Sequence, residues 1–423
     1  MVIAGEASGD TLAAELVAAL RTEVVAAESQ ATDDVQPLHT ALEPRFFGAG
    51  GPRMAAAGVE LAFDMTRHAV TGISDVLKHY FKFRRLFNQL LELAIERQPD
   101  AIIGVDYGGF NLRFGHAIKQ FVREHSGMFQ GWNPKIVQFV SPQVWASREG
   151  RAYQMARDYD LLLSIFPFEK EWYATRVPKL RVEFVGHPMV DRFAICDLRL
   201  TRQSADDASI ANRKSQILLL PGSRPDELHR HLPVMLEAAR MIKSKSEVRF
   251  GMVLPNAELA VMAAGMAQIK VMREPGDLAF DLNSHANLRC YVGDLAGILP
   301  NVDVAIASTG TVTMECAFFG VPTVTLYKTS WGSYQIARRM VKVKSLTMPN
   351  LLANEEIFPE FIQNAATPEN ISRAAFELLR DEARRTRVKT RLAEIIASLG
   401  GPGASRRAAA AIVRCLTARR PII

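Results

Sequence analysis

Short, largely apolar runs recur along the chain, each cut off by glycine, proline or small polar residues and followed by apolar positions at helical spacing. Run, turn and helical stripe in that order predict the strand, turn and helix units of an α/β protein. The clearest unit is residues 302–322: an apolar run to Ala307 breaks at Ser308-Thr309-Gly310-Thr311, resumes as a helical pattern to Phe319, and stops at Gly320 and Pro322. The same grammar predicts a first block of strands at 1–4, near 45–48, and at 101–105, 136–140, 161–165 and 182–185. A second block holds 216–220, 248–254, 289–292 and 302–307. Between the blocks, from Cys196 to Ser215, the chain turns polar and irregular. The expected fold is α/β, with two doubly wound Rossmann-like domains whose carboxyl sheet edges face a central cleft. Residues 1–195 form the first domain, 196–215 the linker and 216–385 the second domain, and a basic helical segment, 386–423, packs back.

Each turn sets its residues at the carboxyl end of a strand, where open α/β sheets place their chemistry. Ser308-Thr309-Gly310-Thr311 aims backbone N–H groups, hydroxyls and a positive helix end at one point, which suits a diphosphate, although a simple N-capped helix start reads the same way. Glu315, one turn beyond Thr311, is placed to accept hydrogen bonds from neutral hydroxyls such as those of a ribose. Arg224, ending the turn Pro221-Gly222-Ser223-Arg224, brings a permanent charge and forked donors that fit a phosphate. In the first block Asp106 follows the best-formed strand, either as a working carboxylate or as a turn cap. Glu6 and Asp10 lie in the first turn, and His187 follows the last strand of the block. The first turn lacks the third glycine of the dinucleotide fingerprint, which disfavours a nicotinamide enzyme. Its strand is short enough to suggest a start upstream of Met1. Asp158-Tyr159-Asp160 has metal-binding D-x-D spacing but precedes its strand, so it reads as a helix-to-strand loop. At 76–87 aromatic and basic residues alternate, which fits either a core helix with a solvated basic face or a helix lying at a lipid interface.

With 423 residues the chain is too long for one core, and 48% apolar with 23% charged residues is ordinary globular composition. No apolar window is long enough to span a bilayer, and no export signal is apparent at the N-terminus. Cys196, Cys290, Cys316 and Cys415 are far apart, which suits a reducing compartment and argues against a zinc cluster. The net charge of +6 favours an anionic partner, whether nucleic acid, membrane surface or phosphorylated substrate. Lys and Arg are dispersed and the turns are rich in Gly, Ser and Asp, so a nucleic-acid groove is disfavoured.

Taken together, several segments resemble the lipid-A-disaccharide synthase family. They are Ala4-Gly5-Glu6-Ala7-Ser8-Gly9-Asp10, Gly50-Gly51-Pro52-Arg53-Met54, Val140-Ser141-Pro142-Gln143-Val144-Trp145-Ala146, Phe166-Pro167-Phe168-Glu169, Val185-Gly186-His187-Pro188, Leu220-Pro221-Gly222-Ser223-Arg224, Ser308 to Thr311 with Glu315, and Met348-Pro349-Asn350-Leu351-Leu352. Each is weak alone; their order along most of the chain carries the resemblance. Two segments depart from the pattern. The family's Asp-Ala-Pro-Asp-Phe-Asn is Asp106-Tyr107-Gly108-Gly109-Phe110-Asn111 here, and Ser-Val-Trp-Ala-Trp-Arg is Gln143-Val144-Trp145-Ala146-Ser147-Arg148.

The resemblance implies a metal-independent, cofactor-free inverting glycosyltransferase of the GT-B type, peripheral to the inner face of the cytoplasmic membrane. Such an enzyme joins UDP-2,3-diacylglucosamine to 2,3-diacylglucosamine 1-phosphate and releases UDP. The donor would be held by Gly222, Ser223, Arg224, Ser308, Thr309, Gly310, Thr311, Glu315 and Asn350. Ser8, Gly9, Asp10, Asn111 and Trp145 would serve the acceptor, with Asp106 as base and Glu6 the other catalytic carboxylate. Phe81, Phe83, Leu86 and Phe87 would meet acyl chains and an anionic membrane surface, and a homodimer is compatible with this picture. Another UDP-sugar enzyme on the same fold, an epimerase or a transferase to a different lipid, is the alternative.

Overall fold

The computed structural model describes residues 1–31, 43–66, 73–125, 127, 131–193, 215–267, 270–274, 277–282 and 286–418. The chain divides into two compact units, Met1–Asp191 with Leu399–Ile423, and Arg192–Ser398. The segment beyond residue 386 is therefore shared: helix Glu382–Ser398 lies in the second unit, and helix Ala404–Thr417 packs against helix Ala7–Ala31 in the first. Within the first unit the Asp191 carboxylate accepts from the Gly403 amide, and Arg407 Nε donates to the Val185 carbonyl at 2.7 Å. The expected linker lies almost wholly outside the described residues.

The first unit is built on strands β1 (Val2–Ala4), β2 (Phe47–Gly50), β3 (Glu60–Asp64), β4 (Ala101–Val105), β5 (Lys135–Phe139), β6 (Leu161–Ser164) and β7 (Val182–Phe184). They form one parallel sheet in the order β3-β2-β1-β4-β5-β6-β7. Strands covered on both faces can be apolar throughout, and all five residues of β4 are buried. The strand expected near 45–48 lies slightly later, and the glycine-rich stretch from Gly48 belongs to it as far as Gly50. A Cβ at Gly48 would lie 1.9 Å from the Val2 carbonyl oxygen, so close strand approach, not turning, explains the residue.

The second unit carries β8 (Gln216–Leu220), β9 (Arg249–Leu254), β10 (Lys270–Glu274), β11 (Asp277–Leu282), β12 (Ala286–Val292), β13 (Val304–Ser308), β14 (Thr323–Tyr327) and β15 (Glu360–Ile362). Their order is β10-β11-β12-β9-β8-β13-β14-β15, with β10, β11 and β12 antiparallel and the rest parallel. Alternation along the strands divides the core: Ile217, Leu219, Val304 and Ile306 join one cluster, whereas Leu218, Leu220, Ala305 and Ala307 join the other. In both sheets the strand order reverses beside the first strand of the unit, between β1 and β4 and between β8 and β13. Those two reversals are the places where a doubly wound sheet opens a crevice for a ligand.

Candidate active site

At the first reversal β1 runs through Gly5-Glu6 into helix Ala7–Ala31, and β4 runs through Asp106-Tyr107 into helix Gly108–His125. Asp106 (φ 51°) and Tyr107 (φ 45°) are both left-handed, as is Val140 (φ 66°) just past β5. Non-glycine residues there cost about 1–3 kcal/mol each, so other interactions must hold them. The Asp106 carbonyl accepts from Asn111 Nδ2 and Gln138 Nε2, both at 2.8 Å, and Gln138 Nε2 also reaches the Val140 carbonyl at 3.2 Å. Room for these amides comes from Gly104, where a Cβ would stand 2.7 Å from Gln138 Oε1 and 2.9 Å from Asn111 Cγ.

The Asp106 side chain leaves this braced turn with its pKa raised, first by burial and then by the negative charge of Glu6. Tyr107 is raised by the same two causes. A Cβ on Gly9 would sit 3.7 Å from Asp106 Cβ, so the first turn of helix Ala7–Ala31 lies beside the Asp106 side chain. Ser8 is exposed and Glu6 half-buried on the same turn. Asp10 is buried, and its carboxylate accepts from the amides of Gly51 (2.8 Å), Arg53 (3.0 Å) and Met54 (3.0 Å). It caps helix Pro52–Ala56 from across the sheet edge. Trp145 is also buried, and its indole donates to Glu169 Oε1 at 3.0 Å. Ser164 Oγ donates to the other Glu169 oxygen at 2.9 Å, and burial pushes this carboxyl up to about 7. Asp10, Trp145 and the Nδ2 group of Asn111 are thus spent on shaping the edge, while Asn111 Oδ1 is buried without a hydrogen-bond partner among the described residues.

At the second reversal Gly222 (φ 128°) turns the chain out of β8 into helix Pro225–Lys243. A Cβ there would collide with Glu227 Oε2 at 2.5 Å, the oxygen that accepts from the Ser223 amide at 3.0 Å. Arg224, 47% exposed, donates to the other Glu227 oxygen at 3.3 Å. Beside it, β13 ends at buried Ser308, and Gly310 (φ 145°) caps helix Thr311–Phe318 without a side-chain hydrogen bond. The hydroxyl of Thr313 turns back to the Gly310 carbonyl at 2.7 Å, while Gly310 and Thr311 stay exposed. The helix's first N–H groups and positive end point into that open space. Burial raises the Glu315 carboxyl, and nearby Arg192 opposes the shift. Asn350 is set apart: its amide donates to the Phe358 carbonyl and Glu360 and accepts from the amides of Ile357 and Phe358, all at 2.8 Å. Its four bonds tie helix Met348–Ala353 to β15.

Among the lipid-facing expectations, the side chains of 73–80 and 82 lie outside the described residues. Phe81 is 79% exposed, Phe83 and Leu86 are half-buried, and Phe87 meets Phe110 and Phe114 edge-on at 5.4 and 5.5 Å. Within residues 81–87, Phe87 packs against the core while Phe81 stands in solvent. His187 accepts from the Met189 amide at 3.2 Å and packs on Phe166. Asp158 and Asp160 are held by His116 at 2.8 Å and Lys119 at 2.9 Å respectively.

Three positioning residues were not singled out from sequence. Gln138 interrupts an otherwise apolar strand, and that break in pattern was its signal. Glu169 lay inside a quoted segment without a role. His231 shares the buried face of helix Pro225–Lys243 with Leu228, Leu232 and Met235. Its Nε2 accepts from the Lys328 amide at 3.0 Å, so Nδ1 carries the proton and donates to the Pro221 carbonyl at 2.9 Å, which joins the ends of β8 and β14.

Two doubly wound units in one chain, each with polar residues gathered at its reversal, define the two-Rossmann-domain class called GT-B. A glycosyltransferase structure from Rickettsia africae superposes with a TM-score of 0.53 at 10% identity, covering 99% of this chain and 98% of that one. A UDP-GlcNAc 2-epimerase from Neisseria meningitidis, solved with UDP-GlcNAc, gives 0.52 at 10% identity over 94% and 96% of the two chains. These likenesses establish the fold. The family model described as lipid-A-disaccharide synthetase matches residues 1–413. A lipid-A-disaccharide synthase of Trichlorobacter lovleyi is 36% identical over 98% of this chain and 96% of its own. The chain belongs to the lipid-A-disaccharide synthase family, glycosyltransferases that build the lipid A disaccharide.

Proposed function

We propose that this protein is an inverting glycosyltransferase that condenses UDP-2,3-diacylglucosamine with 2,3-diacylglucosamine 1-phosphate, at the inner face of the cytoplasmic membrane. The observation that carries the mechanism is Asp106, a carboxylate of raised pKa on a braced turn at the reversal of the first sheet. A base works best when its pKa lies near the operating pH, and burial beside Glu6 moves Asp106 in that direction. Asp106 takes the proton of the acceptor hydroxyl as that oxygen attacks the sugar carbon and UDP departs from the opposite face. Asn111 and Gln138 are positioning residues that hold the turn, while Asp10 and Trp145 shape the surface on which the acceptor lies.

On the second unit the diphosphate is received by the N–H groups and hydroxyls of Ser308 to Thr311, with Arg224 released from Glu227 to pair with a phosphate oxygen. Glu315 accepts from ribose hydroxyls, and Asn350 keeps helix Met348–Ala353 in register with β15. The test is an assay of purified protein in detergent micelles with both diacylated substrates, following UDP and disaccharide together. Stoichiometric appearance of the two is expected. Equal competition by acyl-free UDP-N-acetylglucosamine would instead favour another UDP-sugar enzyme on this fold.

A further inference from the structure

Helix Trp331–Met340 is ten residues long and contributes no buried side chain. An isolated helix of that length is marginal in water, so its anchoring decides whether it forms. It stands on a fixed base: the Lys328 amide donates to His231 Nε2 at 3.0 Å, the Thr329 amide donates to Gln363 Oε1 at 3.1 Å, and Ser330 Oγ caps the helix by accepting from the Ser333 amide. Trp331 is 78% exposed, Ile336 52% and Met340 36%, so three large apolar side chains stand in solvent on one short element. At about 100° per residue Trp331 and Met340 lie at the two edges of the exposed half of the helix, with Ile336 and Arg339 between them, while Ser333, Tyr334 and Ala337 lie on the partly covered half. From residue 328 to 354 the sequence has Lys328, Arg338, Arg339, Lys342 and Lys344 and no Asp or Glu.

We infer that helix Trp331–Met340 is a docking surface for an anionic lipid bilayer, with Trp331, Ile336 and Met340 entering the interface and Arg338 and Arg339 on the head groups. Outward apolar side chains on a polar surface mark an interaction site, and a stretch whose charges are all positive selects an anionic partner. Its place in the fold gives the surface a use. Ser308 pairs in register with Leu326 of β14, the strand that leads into this helix, so the helix rises from the same carboxyl edge as the turn Ser308 to Thr311. A bilayer held there lies beside the donor turn of the second unit. The inference deepens the proposed function and rests on it for the acylated donor that the bilayer would supply.

The test is sedimentation of the full chain with phosphatidylcholine vesicles containing phosphatidylglycerol, alongside vesicles of phosphatidylcholine alone. Each basic side chain near an anionic surface contributes about fivefold to partitioning, so Arg338→Gln with Arg339→Gln should weaken binding about twenty-five-fold. Trp331→Ser with Ile336→Ser should weaken it too, while UDP affinity and melting temperature stay as in the wild type. Binding unchanged in both double variants would overturn the inference, as would loss confined to Phe81→Ser. A change of oligomeric state in light scattering without loss of vesicle binding would also overturn it, by assigning the face to a second copy. The micellar assay keeps the two ideas separable: disaccharide synthesis there with vesicle binding unaltered sinks the docking surface alone, whereas no UDP release sinks the proposed reaction.

Discussion

At the edge of the first sheet the chain sets Asp106 on left-handed backbone beside Glu6, whereas at the edge of the second it leaves Gly310, Thr311 and Arg224 exposed to solvent. The topology is the same at both places. The first reversal destabilises the charge of its carboxylate at the turn itself, whereas the second presents a positive helix end and Arg224 at its surface and keeps its raised carboxyl, Glu315, buried behind them. That contrast matches the needs of a transfer reaction, in which one side must take up a proton and the other must hold a leaving diphosphate. Strain is found where orientation of a single carboxylate matters, and exposed donors where a multiply charged ligand can reach them.

The contrast breaks first if Asp106 can be neutralised without consequence. A positioned base contributes about 10²–10⁴ in rate, so Asp106→Asn should lower turnover by that order with UDP affinity and melting temperature near wild type. If turnover survives in Asp106→Asn and collapses in Glu6→Gln, the base is Glu6 and Asp106 only shapes the turn. On the other edge the effect should appear in binding. A charge-assisted hydrogen bond to phosphate is worth about 1.5–3 kcal/mol, so Arg224→Ala should weaken UDP about ten- to a hundredfold in calorimetry. Unchanged UDP affinity would remove Arg224 from the donor site.

Much of this was legible in the sequence, and what was hidden has physical reasons. Strands covered on both faces announce themselves as apolar runs, so β4, β8 and β13 were found within a residue or two, and with them the turns at Asp106, Arg224 and Ser308. Strands β3 and β15 are half-exposed at sheet edges and carry no such run. Spacing also cannot tell a polar side chain that meets a ligand from one that meets the backbone. Asp10 and Asn350 belong to the family segments, yet their hydrogen bonds close within the fold, and only coordinates reveal that. Gln138 shows the converse: it left a mark in the pattern, but its three carbonyl partners come from the ends of two strands that no sequence window contains together.

A smaller effect belongs to Glu169, the buried carboxyl held by Trp145 and Ser164. Its folded pKa, about 7, lies above the value of an open carboxyl, so its contribution to stability is full at acid pH and is lost as pH rises toward and through 7. Glu169→Gln keeps an acceptor for Trp145 without titrating, and its NH2 group can donate to Ser164 Oγ, whose own hydrogen then goes to the Phe166 carbonyl at 2.7 Å. The melting temperature of the wild type should therefore fall relative to the variant between pH 5 and 8, by on the order of a few degrees. Parallel curves would mean that Glu169 keeps one protonation state across that range.

The smallest shift probes the coupling that sets the first edge apart. Glu6 raises the pKa of Asp106 because its negative charge opposes a second one nearby. If Asp106 must be ionised to accept the proton, activity falls on the acid side as Asp106 protonates. Removing the charge in Glu6→Gln lowers the Asp106 pKa, so the acid limb of kcat/KM should move to lower pH, provided Asp106 still works as the base. Burial, the larger cause, is untouched by the substitution, so the limb should stop short of the position expected of a fully solvated aspartate. Glu227→Gln serves as the control on the other edge: it alters the partner of Arg224 and should change UDP affinity while leaving the acid limb in place. An acid limb that moves in Glu227→Gln and not in Glu6→Gln would put the titrating base on the second unit, and the division of labour between the two edges would be reversed.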